Sequence, residues 1–490
     1  MKKKVVVIGS GFAGLSAATH LAYQGCDVTL LEKNNSIGGR ARHFTESGFT
    51  FDMGPSWYWM PDVFENYFNQ FGKTVSDYYQ LERLDPSYQV VYGAEDALHI
   101  PANMSALRDM FESIETGSGA RLDAFLKQAA YKYEVGIHQL VKKPGRSLTE
   151  FASIKLLIDV LRMDIFKSMA SHVRKYFTHP KLIQLMEFPV LFLGALPENT
   201  PALYSLMNYA DMSLGTWYPK GGMFKIVEAM GKLAEEQGVK ILTSHEVKII
   251  KAADGKVTQV MTDHGGFDAD VCVAGADYHH VDQQLLESKY SNYTSAYWEK
   301  RVMAPSSLLY YVGLNKKIDG LLHHNLFFDT DFGPHANDIY TTPRWPDNPL
   351  FYASLTSKTD DTVAPKGHEN LFLLIPIAPG LEDTPEIQER YFDLILKRME
   401  SFTGQNIRDH IVFKRNFAHN DFINEYHSFK GNAYGLANTL RQTAILKPSL
   451  KNKNLNNLYY TGQLTVPGPG VPPSLISGGV VAKEVIKEHF

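Results

Sequence analysis

The apolar positions of this chain change rhythm along its length, and the changes mark its elements. Val5-Val6-Val7-Ile8 is an unbroken, mostly β-branched run, the pattern of a strand buried on both faces. Helical spacing follows as far as Gly25, and Val28–Leu31 then predicts a second such strand. Tyr88–Tyr92 and Ala97–Ile100 predict a hairpin around Gly93, and the stretches 103–115 and 119–141 predict helices. Phe224–Gln237 reads as a helix closed by Gly238. Strands are expected after it at Val239–Leu242, Glu246–Ile250, Val257–Thr262 and Ala269–Ala274. From 290 to 440 the pattern is β-rich: Ser306–Leu314, Leu326–Asp329, Leu350–Thr356, Asn370–Ile377 and His410–Asn416, with a helix over about 384–403. A last strand at Leu455–Tyr460 and a helix from Ser474 close the chain.

Three stretches are more apolar or aromatic than a surface requires. In Ile154–Met169 ten of sixteen residues are apolar, with Lys155, Arg162 and Lys167 interspersed. Phe188–Ala195 is a second run, and Ser56–Pro61 contains Trp57, Tyr58 and Trp59. Each reads either as core or as contact with an apolar ligand. The first two also fit a lid that dips into a bilayer surface.

A chain of 490 residues is too long for one core, so two domains are expected. With 44% hydrophobic and 21% charged residues it reads as a folded globular protein, and a net charge of −4 gives nucleic acid no electrostatic footing. Cys26 and Cys272 fall in predicted regular elements far apart in sequence. That excludes a disulfide framework and points to a reducing cytoplasm. No run of eighteen apolar residues occurs, and Lys2-Lys3-Lys4 leads straight into a strand, so neither a membrane span nor a leader is expected. No Ser-His-Asp set, His-Glu-x-x-His helix or paired-cysteine metal site is found. The neighbours His279-His280 and His323-His324 cannot share a metal on one strand face and are expected at a solvated surface.

The strongest motif is Gly9-x-Gly11-x-x-Gly14, with a strand before it and a helix after it. Gly9 allows a sharp turn off the strand. Gly11 lets a pyrophosphate approach the backbone, and Gly14 lets the helix pack close to the sheet. The helix start presents free N–H groups and a positive dipole end to the phosphates. Glu32, 18 residues past Gly14, ends the second strand, where its carboxylate can accept from a ribose hydroxyl and would repel a 2′-phosphate.

Beyond Glu32 the chain continues Ile37-Gly38-Gly39-Arg40 and, later, Phe51-Asp52-Met53-Gly54-Pro55. Here it resembles the FAD-containing amine oxidase and carotenoid desaturase superfamily. It meets the N-terminal signature at Gly9, Gly11, Gly14, Leu15, Ala18, Leu21, Gly25, Val28, Glu32, Gly38, Gly39 and Arg40, with Leu30 where valine is usual. The turn Tyr218-Pro219-Lys220-Gly221-Gly222-Met223 resembles bacterial carotenoid desaturases. Thr461–Pro473 resembles the closing motif of phytoene desaturases, although Gln463-Leu464 replaces Ala-Gly and Val466 replaces the usual His. A role for that His is therefore not carried over; the backbone role is, since glycines and a helix start supply it.

The resemblance implies an α/β fold. A Rossmann-type FAD-binding domain would be assembled from 1–80, 215–289 and 441–490. A mixed-sheet substrate domain would come from 290–440, with 81–214 supplying a hairpin and a helical apolar lid. The implied FAD contacts at the start of the chain are Gly9, Gly11, Phe12, Ala13, Gly14, Glu32, Lys33, Gly39 and Arg40. Gly54, Pro55, Ser56, Val247, Gly462, Gln463, Val471 and Pro472 complete them. The implied substrate wall is Trp57, Tyr58, Phe166, Phe188, Phe192 and Trp217. The implied reaction is desaturation of a long C40 carotenoid of the phytoene type. An allylic hydride leaves for flavin N5 and a proton leaves the neighbouring carbon, with no protein base or metal assigned. Such a substrate implies transient contact with the inner face of the cell membrane, and a quinone or oxygen as electron acceptor. Alternatives are a 1-hydroxycarotenoid 3,4-desaturase, an amine oxidase with Trp57, Tyr58 and Trp59 as an aromatic cage, and a prenyl-binding escort of the Rab GDP-dissociation inhibitor kind. Glu32 and Arg40 speak against the escort.

Overall fold

A computed structural model of the chain describes residues 2–147, 150, 167–193, 196–439 and 441–490, without the side chains of 191–193. The apolar run from Ile154 lies outside these residues as far as Phe166, and so does the Phe192 side chain.

Five short strands form a parallel sheet in the order Leu458–Tyr460, Val271–Ala274, Lys4–Ile8, Asp27–Leu31, Lys240–Leu242. Parallel neighbours need long crossovers, so the sheet gathers strands from distant parts of the chain. Its central strand is buried on both faces, as the unbroken apolar run requires. Val5 and Val7 pack on one side with Leu15, Leu21 and Val481. Val6 and Ile8 pack on the other with Val260 and Cys272.

The helices Phe12–Tyr23 and Val471–His489 cover the first face. They approach closely because Gly478 has no side chain: a Cβ there would lie 2.3 Å from the Ala13 carbonyl oxygen. The C-terminal helix begins at Val471, three residues before the expected Ser474, because Pro472 and Pro473 sit in its first turn, where no backbone N–H is needed. The other face carries a three-stranded antiparallel sheet of Val247–Ala253, Lys256–Thr262 and Gly265–Asp268. Both cysteines are free and buried, with Cys26 in the turn before the second strand rather than inside an element.

A seven-stranded mixed sheet runs Ile411–Phe417, Ser306–Leu314, Glu369–Ile377, Phe351–Ser354, His324–Phe327, Tyr88–Gly93, Asp96–Ile100. The expected hairpin around Gly93 forms its last two strands, joined to the rest by parallel pairing of Leu326 with Val90. In Ser306–Leu314 the faces divide by alternation. Leu308, Tyr310 and Val312 pack beneath the helix Pro385–Thr403. Leu309 and Tyr311 join the cluster that contains the glycine-turn helix. The second of the two expected helices ends at Val135 and continues as a π-turn, Gly136–Leu140.

Two surface expectations are overturned. His323 and His324 are 5% and 0% exposed, not solvated, because the strand that begins at His324 lies inside the mixed sheet. His279 and His280 are half-buried beside the parallel sheet. The Phe188–Leu193 run is a 3₁₀ turn, and Phe188 is a core residue packed on Trp57, Tyr88 and Phe328.

Candidate active site

At the carboxyl ends of the first two parallel strands the chain makes the expected turn. Gly9 has φ +91° and donates its N–H to Leu31 O at 2.8 Å. A Cβ on Gly14 would lie 1.9 Å from Gly9 O, so only glycine allows the helix to sit this close. A Cβ on Gly11 would meet nothing within 4 Å: it faces open space. That space is one long cavity of about 2390 Å³, counting its mouth.

One end of the cavity is polar. Glu32 is buried, accepting from Ser10 N at 2.9 Å, Ser10 Oγ at 2.5 Å and Asn34 N at 2.8 Å, which leaves about one acceptor site, on Oε1, beside the cavity. Arg40 donates to Ser428 Oγ at 2.9 Å, and the Gln463 amide oxygen belongs toward Arg40 Nη1 and Nη2, at 3.2 and 3.0 Å. Arg40 Nε is buried without a partner on the cavity wall. Burial pushes the Arg40 guanidinium down, and Asp277 opposes the shift. Burial raises Asp277 to about 6 against the pull of Arg40.

A segment that sequence reasoning missed crosses this end. Phe422, Glu425, Tyr426 and His427, on and just after the helix His419–Tyr426, line the cavity. Arg42 pairs with Glu425 at 2.6 Å, His427 with Glu246 at 3.0 Å, and Lys33 Nζ donates to the Asn424 carbonyl. The His280 ring stacks on His427 at 3.9 Å; burial and that neighbour push His280 down to about 3. These contacts join residues about 150 to nearly 400 positions apart, and no local spacing announces them.

The other end is apolar. Trp57, Trp59, Met60 and Met207 form one wall. Leu309, Tyr352 and Leu374, on one face of the mixed sheet, also line this end, with the Tyr352 ring 5.5 Å from that of Trp57 and with Ser307 and Tyr434 on the same wall. The Trp57 ring stacks on His324 at 4.2 Å, and the Tyr352 hydroxyl lies 2.5 Å from His324 Nδ1. Burial holds His324 well below its usual range, so it is a neutral ring. Behind Trp59 runs a polar chain. Trp59 Nε1 donates to Thr216 Oγ1 at 2.8 Å, Thr216 Oγ1 donates to Asp211 Oδ1 at 3.2 Å, and the Tyr88 hydroxyl donates to Asp211 Oδ2 at 2.6 Å. Burial raises Asp211 to about 7 despite these donors.

Of the residues expected around the cofactor, all but Gly14 line the cavity; Gly14 acts from behind the turn. The expected substrate residues divide. Trp57 lines the cavity. Tyr58 does not: strand-like alternation turns it away, onto Phe64 and the Tyr79 hydroxyl at 3.0 Å, with 0% exposure. Trp217 does not either; it lies in the short strand Trp217–Pro219 and donates to Leu214 O at 2.9 Å. Its turn is tied down elsewhere, Gly221 N to Asp360 at 2.6 Å and Met223 N to Asp52 at 2.7 Å. Phe188 lines a second, smaller cavity. Phe166 and the Phe192 side chain lie outside the described residues. Among the described residues no group of His, Cys, Asp and Glu could hold a metal ion.

The polar end fits a dinucleotide: an open glycine turn at a helix start, a buried carboxylate beyond it, and an arginine with an unused donor between them. The comparisons agree. A carotenoid 3,4-desaturase of Haloarcula japonica is 42% identical over 487 residues, spanning 99% of this chain and 98% of that one. A zeta-carotene-forming phytoene desaturase of Myxococcus xanthus is 31% identical, spanning 99% and 94%. An oxidoreductase structure from Methanosarcina mazei superposes with a TM-score of 0.63 at 15% identity, over 99% of this chain and all of that one. Matched to the family description of flavin-containing amine oxidoreductases over residues 12–486, the chain belongs to that family and takes FAD as its cofactor.

Proposed function

We propose that this FAD-dependent oxidoreductase is a carotenoid desaturase acting near the end of the polyene, at the 3,4 bond. The observation that carries the substrate class is the cavity's split character: every charged side chain on its wall stands at the dinucleotide end, and rings and aliphatic chains, with the hydroxyls of Ser56, Ser307, Tyr352 and Tyr434, form the rest. A charged substrate would leave its charge unmatched there, whereas a hydrocarbon with at most one hydroxyl would not. The relative called a carotenoid 3,4-desaturase supports the bond position, at 42% identity against 31% for the one called a phytoene desaturase. Desaturation of phytoene itself is the second reading, favoured by the latter relative.

Bound FAD supplies the hydride acceptor. The chain's residues do the rest by holding and by excluding water. The Gly9–Gly14 turn, the helix start and Arg40 would hold the diphosphate, Glu32 the ribose, and the Gly462–Pro472 segment the flavin side. Gly39, Gly54, Pro55, Ser56 and Val247 shape the walls between them. The indole rings of Trp57 and Trp59 line the apolar end, where an electron-rich face turned to the polyene would favour positive charge on the reacting carbons.

Two interleaved units serve this division, a Rossmann-type unit from 1–80, 215–289 and 441–490 and a substrate unit from the remainder. A C40 hydrocarbon costs about 0.8 kcal/mol per CH₂ to bring into water, so the enzyme takes its substrate from a membrane surface that it touches transiently, through the apolar stretch at 154–169. In line with surface contact, no helix among the described residues is long and apolar enough to cross a membrane. A quinone or oxygen then reoxidises the cofactor. The deciding experiment expresses the gene in cells that accumulate phytoene and in cells that accumulate hydroxylated acyclic or γ-carotenes. New 3,4 double bonds in the second set are expected; unchanged pigments in both would refute the reading. Flotation with liposomes tests the surface contact, and absence of binding at every lipid composition would remove it.

A further inference from the structure

Behind the apolar end lies a second, smaller cavity. It shares Tyr352, Leu374 and Tyr434 with the first, so these three side chains stand between the two spaces. Its far wall is Phe188, Phe328, Ala336, Ile339 and Leu350, all less than 9% exposed. Its one histidine has no capacity left for a ligand. His335 Nε2 donates to Pro376 O at 2.8 Å and Nδ1 accepts from Leu350 N at 2.9 Å, which fixes a neutral tautomer. Burial lowers His335 to about 4, in keeping with that assignment. No acid, lysine or arginine lines this space. It therefore offers apolar surface and tyrosine rings, a poor place for an ion and a good one for a branched hydrocarbon end.

A carotenoid repeats the same five-carbon unit along a stiff rod. Along apolar walls, dispersion and area burial are nearly equal at each register, so for a hydrocarbon these terms select no one bond. An end wall does, because a rod that meets it stops at one depth. We propose that the second cavity is this end chamber: the terminal isoprenoid unit passes between Tyr352, Leu374 and Tyr434, and its depth of entry sets which carbon–carbon bond lies over the flavin. The inference rests on the carotenoid reading above and adds the residues that set the bond position.

The test uses the flavinated full-length enzyme with carotenoids in liposomes, and reads the position of the new double bond by chromatography and mass spectrometry. Ala336→Phe fills the chamber. It should keep its FAD absorbance and lose roughly tenfold or more in turnover of the full-length substrate, and a substrate lacking one terminal isoprenoid unit should become the better one. Leu350→Ala deepens the chamber and should move desaturation toward a more internal bond. Wild-type products and rates from both flavinated variants would overturn the chamber. If Ala336→Phe does not fold, Leu350→Ala decides alone, and an unchanged bond position overturns the proposal. Wild-type enzyme that desaturates no carotenoid at all would instead fail the reading beneath it, which separates the two.

Discussion

The two ends of the long cavity solve different problems with different materials. At the dinucleotide end the chain offers its backbone. Gly9, Gly11 and Gly14 shape a turn, a helix start supplies N–H groups, and Glu32, Arg40 and Asp277 set charge where the backbone cannot. At the apolar end it offers strand faces and rings: Leu309, Tyr352 and Leu374 from one sheet, Trp57 and Trp59 from a loop. Backbone recognition tolerates no substitution at a few positions, because a single Cβ collides. Recognition by side-chain faces is spread over many positions, each replaceable at modest cost.

That contrast can be broken at several points. The largest effect is expected from Gly14→Ala, since its Cβ would lie 1.9 Å from Gly9 O and the turn must move. The purified variant should carry little or no FAD, read as the flavin-to-protein absorbance ratio; a full complement would sink the close-packing account. Next comes Glu32→Gln, which removes the charge from a carboxylate that accepts from Ser10 and Asn34. Hydrogen bonds to charged groups contribute about 1.5–3 kcal/mol, so FAD should bind about 10- to 100-fold more weakly in a fluorescence titration, with KM for the carotenoid unchanged.

At the other end Trp57→Ala should leave FAD in place and lower kcat/KM by about tenfold, the size of effect expected from losing one apolar wall segment. Loss of FAD together with activity would mean that Trp57 supports the fold rather than the substrate.

The fourth test uses pH. Burial raises Asp211 to about 7 in the folded protein, above its unfolded value of 3.8. Between those values the folded state holds the proton more tightly, so this group makes stability fall as pH rises from about 4 to 7. The full effect is on the order of 4 kcal/mol from 1.36 kcal/mol per pKa unit. Asp211→Asn should flatten that part of the profile in urea unfolding at pH 5 and pH 8. An identical slope in wild type and variant would show Asp211 ionised throughout. The smallest change is Tyr58→Phe, which removes the bond to Tyr79. It should cost about 1 kcal/mol of stability and leave turnover untouched. A drop in turnover would return Tyr58 to the substrate wall.

Legibility followed the same divide. The glycine turn, its two strands, the acid at the second strand's end and Arg40 could be read from spacing, because each acts within some forty residues of chain and its physical demand falls on one residue type. The hairpin at Tyr88–Ile100 and the long strands Ser306–Leu314 and Glu369–Ile377 were legible for a similar reason, since alternation and apolar runs are local patterns. The aromatic segment shows where reading stopped. Trp57, Tyr58 and Trp59 are equally apolar, yet the chain turns the first and third toward the cavity and the second into the core. His323 and His324 were misplaced because adjacency forbids a shared metal without requiring solvent.

By itself, then, the order of residues determined that a dinucleotide turn exists, that strands and helices alternate around it, and that an oily partner is to be expected. These follow from short-range sterics and periodicity. Tertiary structure alone decided that residues of Phe422–His427 line the polar end, that Leu309, Tyr352 and Leu374 share one cavity wall, and that a second cavity shares two of them. Those relations depend on which strands pair across hundreds of residues, and hydrophobicity, being non-directional, does not specify the partner.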